Sequence, residues 1–420
     1  MSGFRRVVLE RGAAADLAAE LRPQGPEADV AGVVAGLIAD VRRDGDAALL
    51  EQTRRFDCPE FAAAGLRVPA DQLEEAAEAL APALREAILT SAAQVRTVAE
   101  ALRPRDVTVD LTHGQRVRVR AVAVDAAGLY VPGGRASYPS SVVMTAVPAQ
   151  VAGVGRLAVV SPPGRDGRVA EVVRGAAALL GIDEVYAAGG AGAVAALAYG
   201  TETIAPVAVV TGPGNAWVQE AKRQVAGVVG IEGLAGPSEV MIVVDAGADP
   251  AAVAADLLAQ AEHGADSPAV VASDDAALLA AIEAELVGRP EPAGSIALVR
   301  CAGIEDALEL AEALAPEHLQ IDVAGGEALA DRVRNAGAVF LGRNGSAAFG
   351  DYVAGSNHVL PTGGAARHAS ALGPGTYMRR MSVVEMSQAA VDALTPHLVA
   401  LAEAEGFPMH CLAAELRAGR

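Results

Sequence analysis

At 420 residues, 52% of them apolar, the chain is too long for one ordinary domain and has ample material for two or three cored ones. Its 52 acidic side chains outnumber 33 basic ones for a net charge of −19, which disfavours nucleic acid or an anionic membrane as a partner, since both need a basic footprint. The first 21 residues (MSGFRRVVLERGAAADLAAEL) mix both charge signs and hold no apolar core of a secretory signal. No apolar stretch reaches the roughly 18 residues of a membrane span. Three cysteines (Cys58, Cys301, Cys411) stand at no ligand-like spacing, which fits a reducing cytoplasm and small-molecule chemistry.

In chain order, the first hundred residues read as a helical lead-in, with Ala, Leu, Glu and Arg at three-to-four spacing over Ala31 to Phe56 and Asp71 to Leu102. From Val117 the texture becomes short Val-rich runs between Ala-rich helices. Strands are expected at Val117 to Val124, Leu157 to Val160, Glu184 to Ala187 and Val207 to Val210. Helices are expected at Ser141 to Val151, Arg168 to Leu180, Ala191 to Tyr199 and Ala216 to Val225. Such alternation implies parallel βαβ units with helices on both sheet faces. A second series has strands at Val240 to Val244, Ala269 to Ala272, Ile296 to Val299 and Ala338 to Leu341. The fold class is therefore α/β, with two lobes. After Met381 the chain reads as helical, in a tail too small to fold alone, which has to pack on something else, such as another subunit.

Six of the seven histidines follow residue 262, in the strings QAEHG, PEHL, SNHV and PMHC among others. Histidine serves both metal binding and proton transfer near neutral pH. Gln260 and His263, three apart near the end of a helix closed by Gly264, face the same way and can share one ion, with Asp351 and His410 as further donors of the kind zinc or manganese accept. Capping of a helix end explains the first pair equally well. Glu317 and His318 in APEHL can line a cleft as general base and partner; the bland reading is a first-turn glutamate at a helix N-terminus beside a bystander histidine. His358 lies in a long loop, Arg343 to Ser370, whose length suggests function. His113, His368 and His397 read as surface or core residues.

Three glycine-rich stretches follow strands. GLYVPGGRASYPSS (Gly128 to Ser141) offers close backbone approach and the Tyr130 ring as a stacking face. TGPGNAW (Thr211 to Trp217) puts Asn215 at a helix N-cap, where exposed N–H groups attract phosphate. Gly190, Gly192 and Ala195 spell G-x-G-x-x-A, but the ribose-binding acid expected some 20 residues later is missing, and tight strand-to-helix packing explains the glycines.

Taken together, GLYVPGG, YPSSVVM, GPGNAWV, AKRQV, AGPSEV, QAEHG, PEHL, GDYVAGSNHVLPT and AEGF-x-x-H run in an order that resembles the histidinol dehydrogenase family over nearly the whole chain. The resemblance implies a zinc enzyme that oxidises L-histidinol through L-histidinaldehyde to L-histidine with two NAD and one water. It implies Gln260, His263, Asp351 and His410 as ligands of one Zn²⁺ per subunit, and Glu317 and His318 as the catalytic proton-handling pair. Ser238, His358 and Glu405 correspond to substrate contacts, and the substrate also meets His318 and the metal ligands. Tyr130 and Asn215 correspond to NAD contacts. Two incomplete Rossmann-like lobes are implied: residues 1–120 with 239–380, carrying the metal and catalytic motifs, and 121–238, binding NAD. A tail, 381–420, reaches the active site of the partner in a cytoplasmic homodimer.

Gly192 departs from the family string GGAQ and removes an amide that contacts the cofactor, a loss of about 0.5 to 1.5 kcal/mol. Leu234 and the stretch His368 to Tyr377 also differ. No cysteine is needed as a nucleophile, and Cys411 reads as an unreactive neighbour of His410. Three alternatives stand beside this reading: a family dehydrogenase acting on another small alcohol or diol, a zinc hydrolase, and a binding module without activity.

Overall fold

The computed structural model describes residues 4–22, 29–133, 136–234, 236–290 and 292–419. Gly134 and Arg135 of the first glycine-rich stretch, and Ala235 of AGPSEV, lie outside the described residues. The chain divides into two compact units, residues 1–102 with 124–377 and residues 103–123 with 378–420.

The larger unit holds two parallel sheets. One has five strands in the order Glu184–Ala187, Arg156–Ser161, Ala126–Tyr130, Val209–Thr211, Gly230–Ile231. Counted along the chain this is 3-2-1-4-5, with a topological switch point between Ala126–Tyr130 and Val209–Thr211. The other sheet has six strands: Phe4–Val8, Ile296–Arg300, Ala269–Ser273, Val240–Val244, His318–Asp322, Ala338–Leu341. From Val240 onward it repeats the order 3-2-1-4-5. Both are incomplete versions of the doubly wound nucleotide-binding fold.

Burial explains the parallel arrangement. VMIVV (Val240–Val244) and AVVAS (Ala269–Ser273) are buried at every position, as strands covered on both faces must be. Successive side chains feed opposite layers. Met241 and Val243 join one core with Leu310 and Leu314, whereas Val240, Ile242 and Val244 join another with Leu257 and Ile282. In the five-stranded lobe, Pro139–Ala152 and Gly190–Tyr199 are apolar on nearly every side and are core helices. Of the lead-in, Leu49 and Val34 belong to that same core.

Three expectations about elements need correction. The run around Val117 is a strand, Gln115–Ala123, but it pairs antiparallel with Val107–Asp110 and Met378–Met386 in the smaller unit. Its alternating Arg and Val residues are those of a half-exposed antiparallel strand, and the parallel lobe opens instead with the fully buried Ala126–Tyr130. The chain after Met381 is not helical at once. Met378–Met386 is strand, followed by helices Gln388–Ala404 and Pro408–Arg417. Finally, PEHL begins no helix. The helix Ile304–Leu314 stops at Ala315, buried and in the left-handed region at φ 48°. Pro316 follows, and a residue before proline is driven out of the α region. His318–Asp322 then enters the six-stranded sheet between Val240–Val244 and Ala338–Leu341.

The smaller unit exposes many large apolar side chains, among them Val384, Leu398, Leu401, Phe407, Met409 and Leu416. No described helix is long and apolar enough to cross a membrane.

Candidate active site

Placing PEHL on a strand changes what Glu317 and His318 can do. Both are buried, at 6% and 3% exposure. The neighbouring strand meets them with one residue: the Glu239 N–H donates to Glu317 Oε2 at 3.1 Å, and the Glu239 carbonyl accepts from the His318 N–H at 3.2 Å. Ser238 Oγ donates to Glu317 Oε2 at 2.7 Å. Two strong donors thus occupy Oε2 and leave Oε1 outside these bonds. Gly337 secures the other side. A Cβ there would stand 2.6 Å from the Glu317 carbonyl oxygen, so only glycine permits this approach.

His318 Nδ1 lies 3.3 Å from the Glu239 carbonyl and 3.5 Å from Glu317 Oε2, and Nε2 lies 3.2 Å from Asp351 Oδ1. Burial works against a charged ring, but the Glu317 and Asp351 carboxylates outweigh it and raise His318 to about 9. Burial pushes the Glu317 carboxyl up as well, against the pull of His318, the Ser238 hydroxyl and the Glu239 N–H. Asp351 is held below the usual carboxylate range: burial raises it, but its bond to His318 and the charges of His318, His358 and His263 together outweigh that cost. Burial lowers His358, whose Nδ1 contacts the Asp351 carbonyl at 2.8 Å and whose Nε2 is 3.4 Å from Ser141 Oγ.

Gln260 adjoins the group through Oε1, 3.4 Å from Ser238 Oγ, while its buried Nε2 has no partner. His263 Nδ1 lies 3.1 Å from the Ala259 carbonyl and 3.2 Å from that of Gln260. A proton on Nδ1 would suit both carbonyls, the tautomer in which Nε2 is the nitrogen with a lone pair. His263 acts electrostatically on both Asp351 and His358. An amide oxygen, an imidazole and a carboxylate are donors that zinc accepts, and Gln260 Oε1 is held only by a long 3.4 Å contact with Ser238 Oγ that a metal could replace. Among the described residues no three His, Cys, Asp or Glu side chains gather as a ready-made metal cluster. The expected set contains an amide, and its fourth member belongs to the smaller unit. There His410 and Glu405 are both exposed, and the Phe407 and His410 rings are 5.3 Å apart. Cys411 is buried, its thiol directed at the Phe407 and Val399 carbonyls.

The glycine-rich turns gather at the carboxyl side of the switch point in the five-stranded sheet, where open α/β sheets bind ligands. Tyr130 ends its strand buried, and its hydroxyl accepts from the Gly190 N–H at 3.1 Å. Asn215 caps the helix Ala216–Val225, accepting from the Trp217 and Val218 N–H groups. Before it, Gly212 adopts φ 124°, and a Cβ there would lie 2.0 Å from the Tyr130 carbonyl oxygen. Lys222, fully buried, donates to Glu232 at 2.6 Å and to the Gly212 carbonyl at 3.1 Å, while the Gly212 N–H donates to the same Glu232 oxygen.

Two residues here were not singled out from sequence. The space above Gly192 is filled by Gln52, whose Oε1 would be 2.4 Å from a Cβ at that position. An acid also stands beside this turn, although it comes from upstream. Asp57 Oδ2 lies 3.4 Å from the position of a Cβ on Gly189, and burial pushes its carboxyl up to about 6. A fingerprint that searches downstream of the glycines misses it.

A dinucleotide-type sheet with glycine turns at its switch point, in one compact unit with a buried Glu–His pair, defines an α/β oxidoreductase. Residues 21–418 match the family model described as histidinol dehydrogenase. The histidinol dehydrogenase of Rhodospirillum rubrum is 46% identical over 93% of both chains, and that of Thermobifida fusca 46% identical over 94% of this chain and 93% of its own. The crystal structure of histidinol dehydrogenase from Elizabethkingia anophelis superimposes with a TM-score of 0.93 at 29% identity, covering 99% of this chain and 98% of its own. The chain belongs to the histidinol dehydrogenase family, oxidoreductases that use NAD to convert histidinol to histidine in histidine biosynthesis.

Proposed function

We propose that this chain carries out the family reaction as a zinc-dependent, four-electron oxidation of L-histidinol to L-histidine by way of the aldehyde. The observation that carries this reading is the buried Glu317–His318 pair, ringed by Ser238, Gln260, Asp351 and His358. Zinc, when bound, polarises and orients the substrate, and NAD accepts the hydrides. Gln260, His263 and Asp351 hold the metal, with the partner subunit's His410 as the fourth ligand. Each subunit takes one ion.

His318 takes the alcohol proton on Nε2, with Nδ1 steadied by the Glu239 carbonyl. Glu317 takes a proton from water through Oε1, while Ser238 and the Glu239 N–H hold Oε2 in place. His318 returns its first proton to the aldehyde oxygen as water adds, and is then free to accept the proton of the hydrate in the second oxidation. Ser238, His358 and the partner's Glu405 contact the substrate. Tyr130 and Asn215 contact NAD, alongside Gly192 where the family carries an amide. Residues 1–120 with 239–380 form the catalytic lobe and 121–238 the NAD lobe, in a cytoplasmic homodimer with the tail 381–420 reaching the partner's site. The apolar surface of the smaller unit supports such a covered tail.

Zinc-loaded protein given L-histidinol and excess NAD is expected to yield two NADH and one L-histidine per substrate consumed. One NADH with released aldehyde, or none, overturns the four-electron assignment.

A further inference from the structure

Glu239 lies behind the pair, and its main chain touches both members. Its N–H holds Glu317 Oε2, and its carbonyl receives the His318 N–H and faces Nδ1. Its side chain is 1% exposed and lies among the Gly363, Glu317 and Gly364 N–H groups. There Oε1 accepts from the Gly363 N–H at 2.9 Å, in the loop that follows His358, while Oε2 is buried with no partner. One residue before Pro237, the Gly236 N–H donates to Thr362 Oγ1 in the same loop. Glu239 therefore links three things: the general base, the histidine beside it, and the loop carrying His358.

We propose that Glu239 is a positioning residue for the Glu317–His318 pair, acting as an uncharged carboxylic acid that ties the Ser238–Glu239 segment to the Gly363 loop. The bare Oε2 argues for the uncharged form. A carboxylate spreads its charge over both oxygens, and a buried charge with no donor at one of them is far costlier than a neutral acid in the same place. Burial and the nearby Glu317 charge push this carboxyl up in the same direction, to about 7, against the Gly363, Glu317 and Gly364 N–H groups. If both carboxyls were ionised, two neighbouring negative charges would repel one another beside the ring of His318, which already faces Asp351. With Glu239 neutral, no third carboxylate charge adds to Glu317 and Asp351 around the ring of His318.

The proposal rests on Glu317 and His318 being the proton-handling pair, and the test separates the two. Zinc-loaded wild type, Glu239→Gln and Glu239→Leu are assayed together with L-histidinol and NAD, with zinc content and thermal midpoint measured for each. Glutamine keeps the acceptor for Gly363 and can never be charged, so its kcat is expected within threefold of wild type. Leucine keeps the volume and loses the tie, so kcat is expected to fall at least tenfold while KM for NAD stays within twofold. A Leu variant with wild-type kcat overturns the positioning role. A Gln variant as slow as Leu shows that the charge is needed and overturns it too. Should the Leu variant not fold, Glu239→Asp, which withdraws the carboxyl from Gly363, is expected to lower kcat at least fivefold, and wild-type kcat there is equally fatal. An inactive wild type would instead condemn the reaction assigned above.

Discussion

Glu317 and Glu239, two glutamates one strand apart, are both pushed up by burial but differ in their donors. Ser238 and a peptide N–H aim at Glu317 Oε2, whereas Glu239 Oε2 has nothing. The difference has a measurable cost. The ordinary value of 4.5 for Glu239 becomes about 7 in the fold, owing to burial and then to the Glu317 charge, with the Gly363, Glu317 and Gly364 N–H groups opposing and Arg22 the nearby cation. The native state therefore holds this proton between pH 4.5 and 7 when the unfolded chain has released it, so stability present below pH 4.5 is lost as pH rises through 7. The loss is about 3 kcal/mol at most. Denaturant melts of wild type and Glu239→Gln across pH 4.5 to 8 are expected to converge on one side and part on the other, with wild type losing more as pH rises. Parallel curves would show that Glu239 titrates normally.

Among the elements, the helix Ala216–Val225 carries the clearest separable role. Its start is capped by Asn215, and its last turn supplies Lys222, whose buried ion pair with Glu232 holds the Gly212 peptide. Asn215→Ala removes an acceptor from two N–H groups and is expected to cost about 1 kcal/mol of stability. KM for NAD should rise severalfold with KM for histidinol unchanged, as steady-state kinetics would show. A change confined to histidinol would remove Asn215 from the cofactor side. The strand His318–Asp322 teaches a different lesson. Its apolar alternation is short, its first residue is a histidine, and the preceding Pro-Glu pair imitates a helix start. The left-handed Ala315 and the slot between two buried strands decide otherwise, by a pairing some 80 residues distant in sequence.

For the whole molecule, the smaller unit carries a large share of the exposed large apolar side chains for its size. Strands Val240–Val244 and Ala269–Ser273 leave none exposed, while Leu401, Phe407, Met409 and Leu416 lie open on the smaller unit. A surface of that kind is favourable only when covered. Sedimentation is expected to give a dimer at twice the chain mass. Leu401→Glu should shift it toward monomer and lower activity, since the tail carrying His410 and Glu405 would then lack its partner. A monomeric wild type with full activity would exclude a shared site.

Residue pattern by itself settled the α/β class, most strands of both lobes and the chemistry-bearing strings, because a strand buried on both faces needs an unbroken apolar run and a helix N-cap needs a side chain such as Asn215. It did not assign Gln115–Ala123 to an antiparallel sheet, find Asp57 beside the Gly189 turn, or show Gln52 filling the space above Gly192. Nor did it reveal Glu239 behind the pair. Those were decided by tertiary structure, since hydrogen-bond partners, desolvation and close approach arise between segments far apart in the chain and leave no local period to read.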